Sequence, residues 1–422
     1  MTLSIAALLA SMFCATTAAM AGVTALGKQV YDLTGREFDL GLLGLAEFAP
    51  AALLVLVTGS VADRFDRRRV ASIAAIGEAV AGAGLAWYAH TRPTSAGPIF
   101  MMVFGFGVAR AFVAPASRSL PADIVPPEHL PWLIPRHSAM WQAAIVAGPV
   151  LGGFLYAVDV SLPYVAMTVL LVVTAVLFFF IEVLPGHEHS VSEVATTPVA
   201  EAGVEPMMGH AAAAPKAKAG LHEALEGLRF IRGHPLLLGA ISLDLFAVLF
   251  GGAVALLPAI AEDRLGVGAV GLGWLRAAGG IGAAAVTVVL AVRPLNHRIG
   301  RILLVVVAMF GAWTIVLGVT RRFVVAFVAM AVLSGADAVS VFIRATLVPL
   351  VTPQDKRGRV LAVENVFIGA SNELGAFESG VAGQLLGASG AIVLGGGLTM
   401  GVAAAWWLLF PPLREVDRFP GS

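Results

Sequence analysis

Twelve apolar stretches, each long enough to cross a lipid bilayer, run through this 422-residue sequence in two groups of six. A membrane-spanning helix needs about 20 predominantly apolar residues. Only 13% of the residues are charged, against roughly a quarter in soluble proteins. A soluble fold of this size would therefore have too few charged residues to cover its surface. The pattern predicts an all-α polytopic membrane protein with twelve transmembrane helices. We place them over residues 4–26, 39–60, 70–90, 98–118, 132–157, 163–184, 236–260, 271–292, 301–319, 323–346, 359–387 and 391–411.

The basic residues of the predicted loops are distributed unequally between the two sides of the membrane. Sixteen lie in the loops on the side of the N-terminus, and six lie in the loops on the other side. Cytoplasmic loops of membrane proteins carry the excess of Lys and Arg. We therefore expect a bacterial cytoplasmic (inner) membrane protein with both termini in the cytoplasm. The net charge of zero gives no indication of a nucleic-acid partner.

The first apolar stretch has an alternative interpretation. Residues 18–22 resemble the cleavage region of a secretory signal peptide. However, no Lys or Arg precedes Lys28 to form the positively charged start of such a peptide, so we expect a retained first helix. The one cysteine, Cys14, permits no intramolecular disulfide and no cysteine metal cluster.

A polar, low-complexity stretch separates the two groups of six helices. Residues 186–220 show no apolar periodicity and are typical of a flexible linker. An amphipathic pattern over residues 221–232 predicts a helix that lies along the membrane surface. We predict an N-terminal six-helix bundle over 1–184, a cytoplasmic linker with its surface helix over 185–235, and a C-terminal six-helix bundle with a short tail over 236–422.

The two groups of helices also look like copies of one another. At an offset of 226 residues, the segment that starts at Arg118 aligns with the segment that starts at Arg344, with matching Val and Pro positions. Both segments follow the fourth helix of their group. Because many transporters are built from internal repeats of this kind, we expect two pseudo-symmetric six-helix bundles.

The loop between predicted helices 2 and 3 concentrates one glycine, two aspartates and four arginines. Composition alone fits an ordinary cytoplasmic loop. The order of these residues resembles the signature of the major facilitator superfamily, in which Gly is followed four residues later by Asp-Arg and then by a basic cluster. The resemblance implies that Asp63 holds the cytoplasmic side shut with Arg118 and the segment before Glu364. The matching residues are Gly59, Asp63, Arg64, Arg67 and Arg68.

A second motif lies in predicted helix 5, at Gly148, Pro149, Gly152 and Gly153. Small residues four positions apart form a surface on which another helix packs closely. In the major facilitator superfamily, a similar Gly-Pro-x-x-Gly-Gly motif is associated with exporters that act as antiporters. The motif therefore favours export over import.

Other stretches resemble one branch of the superfamily, the enterobactin-exporter-like transporters, also called transmembrane secretion effectors. These stretches are residues 29–35, 226–230 and 243–248. The general signature has a second Gly where this sequence has Asp66, and this branch also places an acidic residue there. The resemblance covers essentially the whole chain and implies the major facilitator fold.

Ionisable and polar side chains within the predicted spans are candidate parts of a transport path. A charge at the middle of a bilayer costs about 2.5 kcal/mol or more, so it persists where it faces a cavity or a partner. Each group could instead form a structural ion pair, an alternative that we consider strongest for Glu78 and Asp337. Arg276 and Glu378 lie at similar depth and are plausible partners. The candidates for the transport path and proton coupling are Glu47, Arg110, Asp244, Arg276, Asn372, Glu373 and Glu378.

Together these features favour a proton-coupled exporter of a small amphipathic molecule, such as a drug or siderophore, that rocks its two halves around a central cavity. We expect Asp244 and Glu373 to carry the proton. The expected partners are a small-molecule substrate, protons and the bilayer, with a functional monomer, no cofactor, no metal and no ATP-binding loop. An importer or a lysolipid flippase of the same fold is the alternative. A membrane-embedded enzyme or receptor is a weaker alternative, because the sequence shows no nucleophile–base pair.

Overall fold

The computed structural model describes residues 2–118, 120–182 and 220–420, and this part of the chain contains helices and no strands. We number the long helices α1 to α12. They are α1 Thr2–Thr34, α2 Glu37–Arg64, α3 Arg67–His90, α4 Gly97–Arg118, α5 Leu130–Val158, α6 Leu162–Phe179, α7 Pro235–Phe250, α8 Gly268–Val292, α9 Ile299–Val319, α10 Phe323–Val351, α11 over 357–386 and α12 over 388–409. The linker helix, Gly220–Gly233, precedes α7.

Nine of the described helices are long and apolar enough to span a membrane. One of them, Arg357–Leu409, has 53 residues, or about 80 Å of helix at 1.5 Å per residue, which is enough to cross a bilayer twice. It bends at Gly387, where φ is +73°, a conformation that glycine adopts without steric cost. With this second crossing and with α2 and α4, the described helices fit the twelve predicted spans. The predicted fold class is confirmed.

The helix boundaries differ from prediction mainly at α1 and α7. The predicted first helix ends at residue 26, but α1 continues to Thr34, because polar residues in this last part find partners, as in the Lys28–Asp32 pair. The long part of α7 ends at Phe250, ten residues early, and short helical turns continue to residue 264. A Cβ at Gly252 would lie 2.5 Å from the carbonyl oxygen of Gly375, so this break allows the chain to pack closely on α11.

Most helix packing lies within the first six or within the last six helices, and two helix pairs join these halves closely. They are α5 with α8, and α2 with α11. Under the six-helix repeat, α5 corresponds to α11 and α8 to α2, so the two contacts are equivalent. The fold therefore shows the predicted pseudo-symmetry. The predicted flexible linker and the boundary at residue 184 lie outside the described residues and stay predictions.

The closest contacts between the halves lie away from the arginine-rich loops. We call the side that carries Arg64 and Lys356 the basic side, and the other the opposite side. A hydrogen bond from Gln142 of α5 to the carbonyl oxygen of Gly280, 2.7 Å long, joins the halves at mid-depth. The pairs that join them on the opposite side are Lys28–Glu262, Tyr31–Asp263, Phe38–Phe377 and Gly41–Gly380. These contacts close the opposite side.

Candidate functional site

A buried charge cluster in the first half joins α2, α3 and α4. The Nε atom of Arg110 lies 3.9 Å from Oε1 of Glu47, and its Nη1 atom lies 3.8 Å from Oε1 of Glu78. Both glutamates are buried, and their Oε1 atoms have no hydrogen-bond partner among the described residues. One guanidinium therefore faces two carboxylates at ion-pair distance. We call these three residues the N-terminal cluster.

Small residues bring these three helices together. A Cβ at Gly107 would lie 2.3 Å from the backbone oxygen of Glu47, and a Cβ at Gly77 would lie 3.0 Å from Cβ of Ala109. The absence of side chains at these glycines lets α4 approach α2 and α3 closely, as small residues do at helix interfaces in membranes. The close approach brings Arg110 within reach of both carboxylates.

The second half contains a cluster of similar composition, at α7, α10 and α11, of which only α10 is the repeat counterpart of a helix of the N-terminal cluster. Arg344 lies 2.6 Å from Asp244, between Nη2 and Oδ1, and 3.8 Å from Glu364, between Nη1 and Oε1. All three residues are buried. Asp337, also on α10, lies within electrostatic range of Asp244 and Arg344. We call Asp244, Arg344 and Glu364 the C-terminal cluster.

Both clusters combine one arginine with two carboxylates. With both carboxylates ionised, each cluster has a net charge of minus one inside the membrane. Such a charge is costly unless it is neutralised. One proton or one cation neutralises each set of three residues, and Asp337 adds a further carboxylate beside the C-terminal cluster. In the described part of the chain, no group of three or more His, Cys, Asp or Glu residues is arranged to hold a metal ion.

The remaining predicted path residues lie closer to the contacts between the halves. Arg276 of α8 is buried beside α1, where a Cβ at Gly27 would lie 3.4 Å from its Nη2 atom. Glu373 is buried against α2, where its Oε2 atom would lie 3.1 Å from a Cβ at Gly44. The side chains of Asn372 and Glu378 are half-buried. Pairing between Arg276 and Glu378 stays a prediction.

The structure adds three residues to the predicted set. Glu78, one of the two residues for which a structural ion pair was the strongest alternative, joins Glu47 at Arg110, while Arg344 and Glu364 complete the site of Asp244. The repeat contained a signal for Arg344, because it aligns with Arg118 at the end of the fourth helix of its half. The spacing of polar residues along α11 contained a weaker signal for Glu364.

The arginine-rich loop after α2 is held by contacts within the first half. Arg67 donates a hydrogen bond of 3.0 Å to Asp123, which lies in a short helix after α4, and Arg68 donates one of 2.8 Å to the carbonyl oxygen of Ile181 after α6. The loop is thereby tied to the basic-side ends of α4 and α6. Arg64 is exposed.

The predicted cytoplasmic gate lies partly outside the described residues. The side chains of Asp63 and Arg118 and the surroundings of Gly59 belong to that part. Closure of the basic side by Asp63 with Arg118 therefore stays a prediction.

Asp66, the departure from the general signature, caps α3. It accepts a hydrogen bond of 3.0 Å from the backbone N–H of Arg68, and its carboxylate pairs with the Arg68 guanidinium at 2.8 Å. The hydrogen bonds from the Arg68 side chain and backbone hold the pKa of the Asp66 carboxyl below its usual value of 3.8. An N-cap carboxylate satisfies backbone N–H groups that the first helical turn leaves open.

Replacing Asp66 by Ala is expected to speed amide hydrogen exchange over residues 67–71 about fivefold at pH 7, because losing an N-cap costs about 1 kcal/mol. Since the pKa of Asp66 is lower in the folded protein than in the unfolded chain, its stabilisation is complete above the unfolded pKa. It is lost as the pH falls through the folded pKa. Mass spectrometry of exchange at pH 7 and well below pH 3.8 should show the difference between variant and wild type shrinking in acid.

The matched control is Asp159→Ala. Asp159 accepts hydrogen bonds from the backbone and side chain of Ser161 on the opposite side, so its loss should leave exchange over residues 67–71 unchanged. Wild-type exchange in the Asp66→Ala variant at pH 7 would contradict the capping role.

The helix 5 motif lies in α5 where three helices meet. A Cβ at Gly148 would lie 2.4 Å from Cβ of Met20, and one at Gly152 would lie 2.6 Å from the carbonyl oxygen of Ala21, both on α1. A Cβ at Gly153 would lie 2.4 Å from the carbonyl oxygen of Ala269 on α8. The motif therefore packs α5 against its own half and against the other half at once.

Pro149 takes part in the same contact. A Cβ at Gly273 of α8 would lie 2.5 Å from the carbonyl oxygen of Pro149. The backbones of α5 and α8 thus approach each other through glycines on both helices, which is the close packing predicted for this motif.

Comparisons with known proteins agree with this architecture. Residues 3–376 match the family described as Major Facilitator Superfamily. No curated protein matches the chain. Among solved structures, a bacterial homolog of the human lysosomal transporter Spinster, in an inward-facing and unoccupied conformation, is 14% identical with a TM-score of 0.71, covering 100% of this chain and 99% of that chain.

Two further solved transporters have similar folds. The D-xylose-proton symporter is 17% identical with a TM-score of 0.64, covering 98% of each chain. The human organic anion transporter MFSD10 (TETRAN) is 15% identical with a TM-score of 0.61, covering 97% of this chain and 99% of that chain. At these identities the likeness shows the fold alone, and the enterobactin-exporter-like branch stays a prediction. The family match over most of the chain, together with its helical architecture, shows that the chain belongs to the major facilitator superfamily and is a membrane transporter, not an enzyme.

Proposed function

We propose that this transporter exports a small amphipathic molecule from the bacterial cytoplasm in exchange for protons. The observation that carries the proposal is the presence of two clusters in which one arginine faces two buried carboxylates. Binding of one proton removes the net negative charge of such a cluster. Because charge inside a membrane is costly, a change of protonation there favours one arrangement of the helices over another, which is the physical basis of coupling.

The proposed cycle starts from the arrangement described above. Among the described residues, the contacts between the halves run from mid-depth to the opposite side, so under the orientation expected from the basic loops we infer that the path opens to the cytoplasm. Export then requires the Lys28–Glu262 and Tyr31–Asp263 contacts to break while the basic side closes. The glycine motif of α5 lies on the contact around which the halves would rock.

We assign proton exchange first to Glu47 and Glu78. A proton carrier must reach water during the cycle, and the Arg110 side chain between these glutamates is 24% exposed, whereas Arg344 is 4% exposed. The N-terminal cluster therefore suits the role better than the C-terminal cluster. Asp244 and Glu373, the carriers expected from the sequence, stay candidates for the same experiment.

The apolar composition of the spans favours an apolar or weakly charged cargo, such as a drug or a siderophore. A strain that overproduces the protein can be compared with one that lacks it for metabolite release and for susceptibility to amphipathic compounds. A compound whose release depends on the protein identifies the cargo. Loss of the cargo from the medium of the overproducing strain would instead identify an importer.

In everted vesicles, cargo uptake by the wild type is expected to rise when the vesicle interior is made more acidic than the outside. The Glu47→Gln and Glu78→Gln variants are expected to keep only the gradient-independent uptake, because an amide cannot release a proton. Uptake of the radiolabelled cargo, with and without nigericin to collapse the gradient, measures this.

Glu415→Gln serves as the matched control, because the Glu415 side chain is 67% exposed near the C-terminus. This variant should respond to the gradient as the wild type does. Wild-type uptake that is insensitive to nigericin would exclude proton coupling. A full gradient response in both glutamine variants would remove the N-terminal cluster from the coupling mechanism.

A further inference from the structure

A cavity on the basic side lies apart from both charge clusters, between the linker helix and the start of α11. Its volume is about 350 Å³. The linker helix is held against α11 here, because a Cβ at Gly227 would lie 2.8 Å from the carbonyl oxygen of Arg359. The polar residues that line the cavity are Glu226, Arg229, His234, Lys356 and Arg359.

The lining of the cavity is cationic. Its three Lys and Arg residues outnumber its one carboxylate, that of Glu226, which already pairs with Arg359 at 2.7 Å. The Nζ atom of Lys356 lies 4.8 Å from the centre of the Phe230 ring. Arg229 is exposed and forms no ion pair with a described residue. Arg229 and Lys356 therefore offer positively charged donors that no carboxylate of the described residues neutralises.

One polar atom at the cavity also lacks a partner. The Nδ1 atom of His234 is buried and has no hydrogen-bond partner among the described residues. A buried polar atom without a partner is destabilising unless a ligand or water satisfies it. The cations of the lining suit an anion that carries several oxygen acceptors, such as a phosphate, and the tautomer of His234 with its proton on Nδ1 would add a donor beside them.

The surroundings of the cavity favour a lipid as the source of that phosphate. Leu225 and Leu228 of the linker helix are 52% and 40% exposed. Exposed leucines next to basic residues are what an amphipathic helix at the membrane surface presents to acyl chains and headgroups. Basic pockets at the cytoplasmic ends of transmembrane helices bind anionic headgroups. A soluble phosphate would contact the cations but would leave the leucines exposed.

We propose that this cavity binds the phosphate of an anionic phospholipid, which fastens the linker helix to α11. The linker helix leads from the first half of the chain into α7, and α11 carries Glu364 of the C-terminal cluster. A lipid bound between them therefore ties the composition of the membrane to the position of the second half. This proposal does not depend on the direction of transport or on proton coupling.

Native mass spectrometry of the full-length protein, released from micelles containing phosphatidylglycerol and phosphatidylcholine in equal amounts, tests the proposal. We expect the wild type to retain phosphatidylglycerol preferentially. The double variant Arg229→Gln/Lys356→Gln is expected to bind phosphatidylglycerol roughly tenfold more weakly, because each basic residue near the membrane surface contributes to the attraction. Amide exchange of residues 225–233 should slow in the wild type when this lipid is added.

Arg232→Gln is the matched control, since Arg232 is an exposed arginine of the same helix that does not line the cavity. It should bind phosphatidylglycerol as the wild type does. Elution and helicity like those of the wild type show that each variant is folded. Equal retention of phosphatidylglycerol by the wild type and the double variant would overturn the proposal. Inorganic phosphate that slows exchange as strongly as phosphatidylglycerol would also overturn it, because the cavity would then bind a soluble anion.

Discussion

Replacing Arg344 by Leu is expected to destabilise the protein by about 3–5 kcal/mol, because the change leaves two buried carboxylates without their cation. Arg344 lies 2.6 Å from Asp244 and 3.8 Å from Glu364, and all three side chains are buried. We expect a lower yield of folded protein and a lower midpoint of thermal unfolding. The midpoint is measured as the loss of monodisperse elution after heating the purified protein in detergent.

Two further variants separate the loss of charge compensation from the loss of packing. The triple variant R344L/D244N/E364Q removes the charges together and should recover most of the stability, because no uncompensated charge is left. Arg418→Leu is the control in the same half. Arg418 and Asp417 are 59% and 61% exposed, and exposed ion pairs contribute about 0–1 kcal/mol. A triple variant as unstable as the single variant would show that Arg344 acts through packing instead.

Replacing Gly153 by Leu is expected to keep the opposite side from closing and to abolish transport. A Cβ at this position would lie 2.4 Å from the carbonyl oxygen of Ala269, so the side chain cannot fit between α5 and α8. Overpacking of this kind costs about 1–3 kcal/mol, which changes a two-state equilibrium roughly 5- to 150-fold. The opening is measured as the distance between two spin labels, one on each half, by double electron–electron resonance. The labels are attached to cysteines introduced at Thr94 and Arg321, in a protein whose own cysteine is removed by Cys14→Ser.

The same substitution at Gly397 is the matched control. Gly397 is an exposed glycine of α12, and a Cβ there has no atom within 4 Å. The Gly397→Leu variant should show the same short distance between the two spin labels as the labelled protein without this substitution. It should also keep its transport activity. Short distances and full transport in the Gly153→Leu variant would show that the α5–α8 contact does not control closure of the opposite side.

The positions of the helices could be predicted well from the sequence. A single apolar segment that crosses the lipid forms a helix, because each backbone N–H and C=O group must find its hydrogen-bond partner within the segment. The run over 301–319 accordingly gives α9, Ile299–Val319. The break at the end of α7 could not be predicted, because it depends on how closely Gly252 approaches Gly375 in a different helix.

The candidate site could be predicted only in part. Counting along each helix identified Glu47, Arg110 and Asp244 as charges within the membrane, and the structure buries both carboxylates. The position of a charge along its helix does not show with which other charge it forms an ion pair. Asp244 and Arg344 are far apart in the chain, and their pairing depends on how α7 and α10 are rotated about their own axes.

By itself, the sequence determined the helical membrane fold, its internal repeat and the family signature. These are local properties, since they depend on the length of apolar runs, on the order of residues in one loop and on similarity between segments. Only the tertiary structure decided which carboxylates share an arginine and on which side the halves touch. Those features depend on the rotation and tilt of packed helices, and contacts such as Gly153 with Ala269 set them across the boundary between the halves.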